Sequence, residues 1–282
     1  MSYVNDKSLV STSWLVDHLD DPKVKIIDGS WHLPTTGRDG HKEYLNMHIP
    51  GAVYFNIDKI SDSSSTLPHM IPSPKTFNSK ISEMGISNSH NIIIYDSEGL
   101  FSAPRVWWMF RAFGHKNVSV MTGGFKSWVN ENKPVSDNIP KISKGDFSGN
   151  LDPNMIRSLN DIKNNIVNNT ELVIDARATN RFDGSEAEFR PGVRSGHIPK
   201  SFNLPYNKLI NDDGTFISNS ELINIFNTIG ATEEQPVITT CGSGITACIL
   251  GLGLHLIGRD NWTVYDGSWT EWGSNKDVDI EV

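Results

Sequence analysis

Hydrophobic positions along the chain fall into short β-branched runs, each followed by a helical pattern, and the runs come in two matching sets. Ile26-Ile27-Asp28 opens one set and Leu172-Val173-Ile174-Asp175 the other. Further on, Ile92-Ile93-Ile94-Tyr95-Asp96 matches Val237-Ile238-Thr239-Thr240-Cys241. Runs this short, apolar and turn-bounded predict buried central strands. Residues 103–113 follow the first, with Val106, Met109, Phe110 and Phe113 at helical spacing and Pro104 tolerated in the first turn. A second apolar helical pattern begins around Thr246. Val118-Ser119-Val120 then leads to Gly123-Gly124, and Thr263-Val264-Tyr265 to Asp266-Gly267, before Trp128 and Trp272.

The punctuation repeats as well. His48-Ile49-Pro50 precedes Phe55-Asn56-Ile57 in one half, and His197-Ile198-Pro199 precedes Phe202-Asn203-Leu204 in the other. The offset between matching positions stays between 143 and 149 residues, so the chain is a duplicated domain. Strands alternating with helices predict an α/β fold, in which each half is a parallel sheet flanked by helices. The Ser-, Gly-, Pro-, Lys- and Asn-rich stretch at 138–150 reads as a linker between domains at 1–137 and 151–282.

A length of 282 residues suits two domains, and 37% hydrophobic content supports a core in each. The net charge of −8 argues against nucleic acid or an anionic membrane as the main partner. An anionic substrate would therefore need a local cationic pocket. The longest apolar stretch, 248–258, is interrupted by His255 and is too short to span a bilayer, and residues 1–10 lack the pattern of a secretory or transit peptide. These features predict a cytoplasmic protein. Its two cysteines, Cys241 and Cys248, are poorly placed to pair. Cys248 reads as a buried small hydrophobe.

Cys241 reads differently. In Thr240-Cys241-Gly242-Ser243-Gly244-Ile245-Thr246-Ala247 a buried strand opens into a helix through a loop with two glycines. Successive N–H groups in such a loop form an anion-binding nest, and the helix start adds to it. That field favours the thiolate, the nucleophilic form. A side chain at the glycines would fill the space that a transferred sulfur needs.

This loop resembles the active loop of the 3-mercaptopyruvate sulfurtransferases, a branch of the rhodanese superfamily. Similar runs include His48-Ile49-Pro50-Gly51-Ala52, Ser102-Ala103-Pro104-Arg105-Val106-Trp107-Trp108-Met109 and Tyr265-Asp266-Gly267-Ser268-Trp269. The resemblance implies two tandem rhodanese-like domains with an inactive N-terminal copy, where Asp96 stands in the place of Cys241. It implies sulfur transfer from 3-mercaptopyruvate through a Cys241 persulfide to a thiol such as thioredoxin, or to cyanide, with release of pyruvate and with no metal or organic cofactor. It assigns Arg181 and Arg190 to the donor's carboxylate and keto oxygens, which suits the planar fork of arginine. Gly242, Gly244, Ile245 and Thr246 complete the substrate cradle. Ser243, with His69 and Asp58 from the first domain, matches a relay that polarises the carbonyl or manages a proton. Phe189 departs from the more usual Glu-Pro-Arg pattern, and His48, His197, Trp107 and Trp108 read as structural.

Three rivals are weighed against this reading. Thiosulfate sulfurtransferases carry cations in a Cys-Arg-Lys-Gly-like loop, whereas Gly242 and Ser243 are neutral. Cysteine-dependent phosphatases and arsenate reductases need an arginine six residues after the nucleophile, where this chain has Ala247. A non-catalytic rhodanese-like binding module has no use for Cys241, Ser243, Arg181 and Arg190 together.

Overall fold

The short β-branched runs form the middle of two five-stranded sheets. The computed structural model describes residues 2–282. In the first half, β1 (Leu9–Val10), β2 (Val24–Asp28), β3 (Val53–Tyr54), β4 (Asn91–Tyr95) and β5 (Val118–Met121) lie in the order β1-β5-β4-β2-β3. In the second half, β6 (Ile156–Arg157), β7 (Leu172–Asp175), β8 (Phe202–Asn203), β9 (Val237–Thr240) and β10 (Trp262–Tyr265) repeat that order as β6-β10-β9-β7-β8. Every pairing is parallel. The duplication seen in sequence is thus a duplication of topology. It extends to the two His-Ile-Pro segments. His48 bridges Ser136 and His197 bridges Glu281, each tying down the end of its own half.

Burial explains the composition of the strands. Ile92, Ile93, Ile94 and Tyr95 of β4 are fully buried, so both faces of that strand are covered and no polar alternation survives. The helix Ala103–Ala112 follows β4 with Pro104 in its first turn, and Ala247–Leu256 follows β9. These two helices pack against each other across the join between the halves. All ten residues of Ala247–Leu256 are buried, as befits a helix that is apolar all round. One continuous apolar core therefore runs through both halves, and two smaller cores back the outer faces of the sheets.

Segment 138–150 has no helix or strand, yet it is strapped to the first half. Asn78 exchanges two hydrogen bonds with Gly149 (3.0 and 2.9 Å), Asn88 exchanges two with Ser148 (both 2.7 Å), and Phe147 is buried beside Phe77 and Phe110. A Cβ at Gly145 would lie 2.1 Å from the Ile86 carbonyl oxygen. Glycine serves close approach there. No helix among the described residues is long and apolar enough to cross a membrane.

Gly251 shows how tightly the shared core is filled. A Cβ there would lie 2.2 Å from Cζ3 of Trp262, whose ring stacks on Trp107 with centroids 6.3 Å apart. Gly251→Ala should improve helix propensity, but overpacking should dominate and destabilise the protein by about 1–3 kcal/mol. Thermal or urea unfolding checks the sign; an unchanged or raised midpoint would refute it.

Candidate active site

Cys241 is the first residue beyond β9, and the loop that follows turns its carbonyls outward. The Cys241 carbonyl accepts from the Trp269 N–H (2.9 Å), and that of Gly242 accepts from the Thr270 N–H (2.9 Å) and hydroxyl (2.6 Å). The Gly244 carbonyl accepts from Nη1 of Arg105 (3.2 Å). With the carbonyls engaged outside, the N–H groups of Gly242 through Ala247 have no hydrogen-bond acceptor among the described residues. Ser243, Gly244, Ile245 and Ala247 are buried. Buried amides without partners are rare, and a run of them marks an anion site.

The first half shows the same loop filled. Asp96 stands at the position of Cys241, and its Oδ1 accepts from the N–H groups of Glu98 (3.0 Å) and Gly99 (2.7 Å). Its Oδ2 accepts from those of Phe101 (2.8 Å), Ser102 (2.8 Å) and Ala103 (2.7 Å). Burial raises the Asp96 pKa above the usual carboxylate value, and these amide bonds oppose the rise. One half thus carries its own anion in the nest. The other leaves the nest open beside a thiol.

A buried ion pair fixes the open loop against the first half. Arg105, fully buried on the helix Ala103–Ala112, lies 2.7 Å from Oδ1 of Asp266, which follows β10. Arg105 also donates to the His69 carbonyl (2.5 Å) and stacks on Trp108, while Asp266 accepts from the Ile71 N–H (2.7 Å). Gly244 (φ +78°) sits against this pair, where a Cβ would come within 2.9 Å of Nη1 of Arg105. The pair therefore holds the loop and the His69 segment at one point.

His69 itself has φ +63°, a left-handed conformation uncommon for a non-glycine residue, maintained by the bond from Arg105 to its carbonyl. Its Nε2 lies 3.0 Å from Oδ1 of Asp58, and its Nδ1 lies 3.0 Å from Oγ of Ser243 and 3.3 Å from the Ser243 carbonyl. Nε1 of Trp31 donates to the other oxygen of Asp58 (3.2 Å), and the Trp31 ring meets His69 edge-on. The His69 hydrogen bond, more than any other cause, holds the exposed Asp58 carboxyl below its usual pKa. A neutral imidazole with its proton on Nε2, facing Asp58, leaves Nδ1 free to accept the Ser243 hydroxyl. Nη2 of Arg190 approaches the same oxygen at 3.3 Å.

Cations line the other side. Arg181 grips Glu188 through Nε (3.2 Å) and Nη2 (2.5 Å), and Glu188 also accepts from Arg177 (2.8 Å). Arg177 in turn forks onto Asp175 at 2.8 Å. Two guanidinium groups and two carboxylates balance in that chain. Arg190 stands outside it: its one polar contact with a side chain among the described residues is Ser243. Burial lowers the Arg190 pKa, and Cys241 opposes that shift. Nη2 of Arg181 and Nη1 of Arg190 lie 3.4 and 3.5 Å from where a Gly242 Cβ would be, hence at most about 7 Å from each other. Unit charges at that separation repel by roughly 2 kcal/mol at an effective dielectric of ~20. Cys241, Gly242, Ser243, Ile245, Thr246 and both arginines line one cavity of about 280 Å³, which Trp31, Phe101 and Tyr206 also line.

Both halves match the family model for a rhodanese-like domain, at residues 11–131 and 158–275. The chain belongs to the rhodanese family. A 3-mercaptopyruvate sulfurtransferase of Mus musculus is 42% identical over 94% of this chain and 92% of its own. A thiosulfate sulfurtransferase of Cricetulus griseus is 38% identical over 94% and 92%. Among solved structures, SseA from Escherichia coli, described with the rhodanese fold of 3-mercaptopyruvate sulfotransferases, superposes with a TM-score of 0.85. It is 38% identical, covering 93% of this chain and 98% of that one.

Within this rhodanese site, His69, Asp58 and Gly244 do not line the cavity: His69 meets it only through Ser243, Asp58 pairs with the other ring nitrogen of His69, and Gly244 faces Arg105. Cys248 is a buried thiol whose pKa burial pushes up to about 12, and it donates to the Gly244 carbonyl (3.3 Å). Among the described residues, no group of three or more His, Cys, Asp or Glu side chains could hold a metal ion. Sequence reading passed over Arg105, Asp266 and Glu188. The available signal was an arginine inside an otherwise apolar helix, where burial demands a counter-charge.

Replacing Arg105 by methionine should leave Asp266 buried and unpaired, a loss of about 3–5 kcal/mol. Denaturant unfolding should show it as a lower midpoint with an unchanged slope. A midpoint equal to the parent's would mean that the pair is not what holds the halves together.

Proposed function

We propose that the protein is a 3-mercaptopyruvate sulfurtransferase that carries sulfur as a persulfide on Cys241. The observation that carries this reading is the pair of nests, one filled by Asp96 and one open at Cys241. The Cβ–Cγ–Oδ path of an aspartate has the shape of the Cβ–Sγ–Sδ path of a cysteine persulfide. Amides that satisfy a carboxylate in one copy therefore suit a terminal sulfur anion in the other.

The donor binds with its carboxylate and keto oxygen at Arg181 and Arg190. The Cys241 thiolate attacks the donor's sulfur, an S–S bond forms, and the C–S bond breaks with its electron pair moving into the enolate of pyruvate. The persulfide ionises in the nest, and its proton completes pyruvate at the methylene carbon. Ser243 turns its one hydroxyl proton from Nδ1 of His69, which Asp58 orients, to the keto oxygen as negative charge develops there, while Nη2 of Arg190 still donates to its Oγ, the kind of stabilisation that lowers such barriers most. A thiolate or cyanide then attacks the outer sulfur and returns Cys241 as thiolate. The acceptor is a small or protein-borne dithiol such as thioredoxin, or cyanide, and the setting is a reducing compartment such as the cytoplasm.

Charge balance supports the keto acid over thiosulfate. Arg181 is already matched by Glu188, so Arg190 alone brings surplus positive charge, which suits a monoanion better than a dianion.

Cys241→Ser should lower turnover by more than about 10³-fold with the fold intact, since it removes the nucleophile. Mass spectrometry of the parent after donor exposure should add one sulfur atom to the peptide carrying Cys241. The specificity constant for 3-mercaptopyruvate should exceed that for thiosulfate by about tenfold or more, equivalent to at least about 1.4 kcal/mol. Turnover that persists without Cys241 removes the persulfide, and a preference for thiosulfate removes the donor assignment.

A further inference from the structure

An aromatic ring lies against both arginines that line the active-site cavity. Phe189 precedes Arg190 in the chain, and its ring centroid lies 5.0 Å from Cζ of Arg181 and 4.7 Å from Cζ of Arg190. The ring is half-buried and lines the cavity. Arg181 has Glu188 to hold it, but Arg190 has only the 3.3 Å contact with Ser243, and each guanidinium repels the other. Solvent would draw Arg190 outward unless something retained it. An aromatic face attracts a cation electrostatically, and a planar guanidinium can stack on it while its N–H donors stay free for a ligand. The Phe189 ring offers such a face to both guanidinium groups.

We propose that Phe189 is a positioning residue: it holds Arg181 and Arg190 convergent on the space above Gly242 and thereby sets the affinity for an α-keto carboxylate. The inference rests on the donor-binding reading above. Phe189 acts through the two guanidinium groups that hold the donor, so its contribution falls on binding, not on the chemical step.

The test compares Phe189→Leu, Phe189→Tyr and Phe189→Trp, with Phe189→Met as a second aliphatic replacement should leucine not be tolerated. Two quantities are measured: steady-state turnover of 3-mercaptopyruvate, and calorimetric binding of pyruvate, which needs no turnover. Leucine or methionine should raise both KM and the pyruvate Kd by about tenfold while kcat stays within about twofold. Tyrosine and tryptophan, which keep a π face, should stay near the parent in both. The inference is overturned if the aliphatic variants bind within about twofold of the parent, if the aromatic ones lose as much, or if the change appears in kcat alone. A parent chain that binds pyruvate but does not turn over 3-mercaptopyruvate would sink the proposed function, and the Kd series alone would then decide the role of Phe189. A parent that does neither sinks both.

Discussion

A buried charge pair drawn from both halves governs the geometry of this rhodanese. Arg105 and Asp266 lie out of water, and both also bond backbone: Arg105 donates to the carbonyls of His69 and Gly244, with its Nε left unpartnered, and Asp266 accepts from the Ile71 amide. A buried pair is a poor source of net stability, because desolvation offsets most of the Coulomb attraction. Its value here lies in specificity. Neither charge can be left alone, so the halves have one way to dock, and that docking brings Ser243 within 3.0 Å of His69.

Duplication explains why such an arrangement was within reach. Each half ends its central strand in the same kind of loop and so generates the same kind of nest. What differs is the anion. Asp96 supplies one covalently and permanently, with five amide hydrogen bonds. Cys241 leaves its nest open and keeps its loop in shape by other means, through the bonds of Trp269 and Thr270 to the outward carbonyls. The loop is held from outside, and its amides are left without acceptors among the described residues.

The cationic wall follows similar logic. An anionic protein must attract an anionic donor with local charge, but two bare arginines so close together would repel each other. Glu188, clamped by Arg177, neutralises one of them, and the Phe189 ring lies against both. The result is a pair of forks with a single surplus charge.

Much of this could be read along the chain. The repeat, the parallel α/β halves and the strand-to-helix corner at Cys241 follow from local pattern, whereas the candidate set of Ser243, His69, Asp58, Arg181 and Arg190 came only through the family resemblance. Local pattern reports local constraint: strand and helix periodicity, and glycine where the backbone turns or comes close. Only the tertiary structure shows that segment 138–150 is strapped down, that Gly244 serves the Arg105–Asp266 pair and not the cavity, and that Asp96 fills its own nest. It alone pairs Arg181 with Glu188 and leaves Arg190 free. Each of these is a contact between groups distant in sequence, or a count of which amides and charges remain unmatched after folding. Periodicity carries no information on either, because hydrogen-bond and charge satisfaction are properties of the assembled interior.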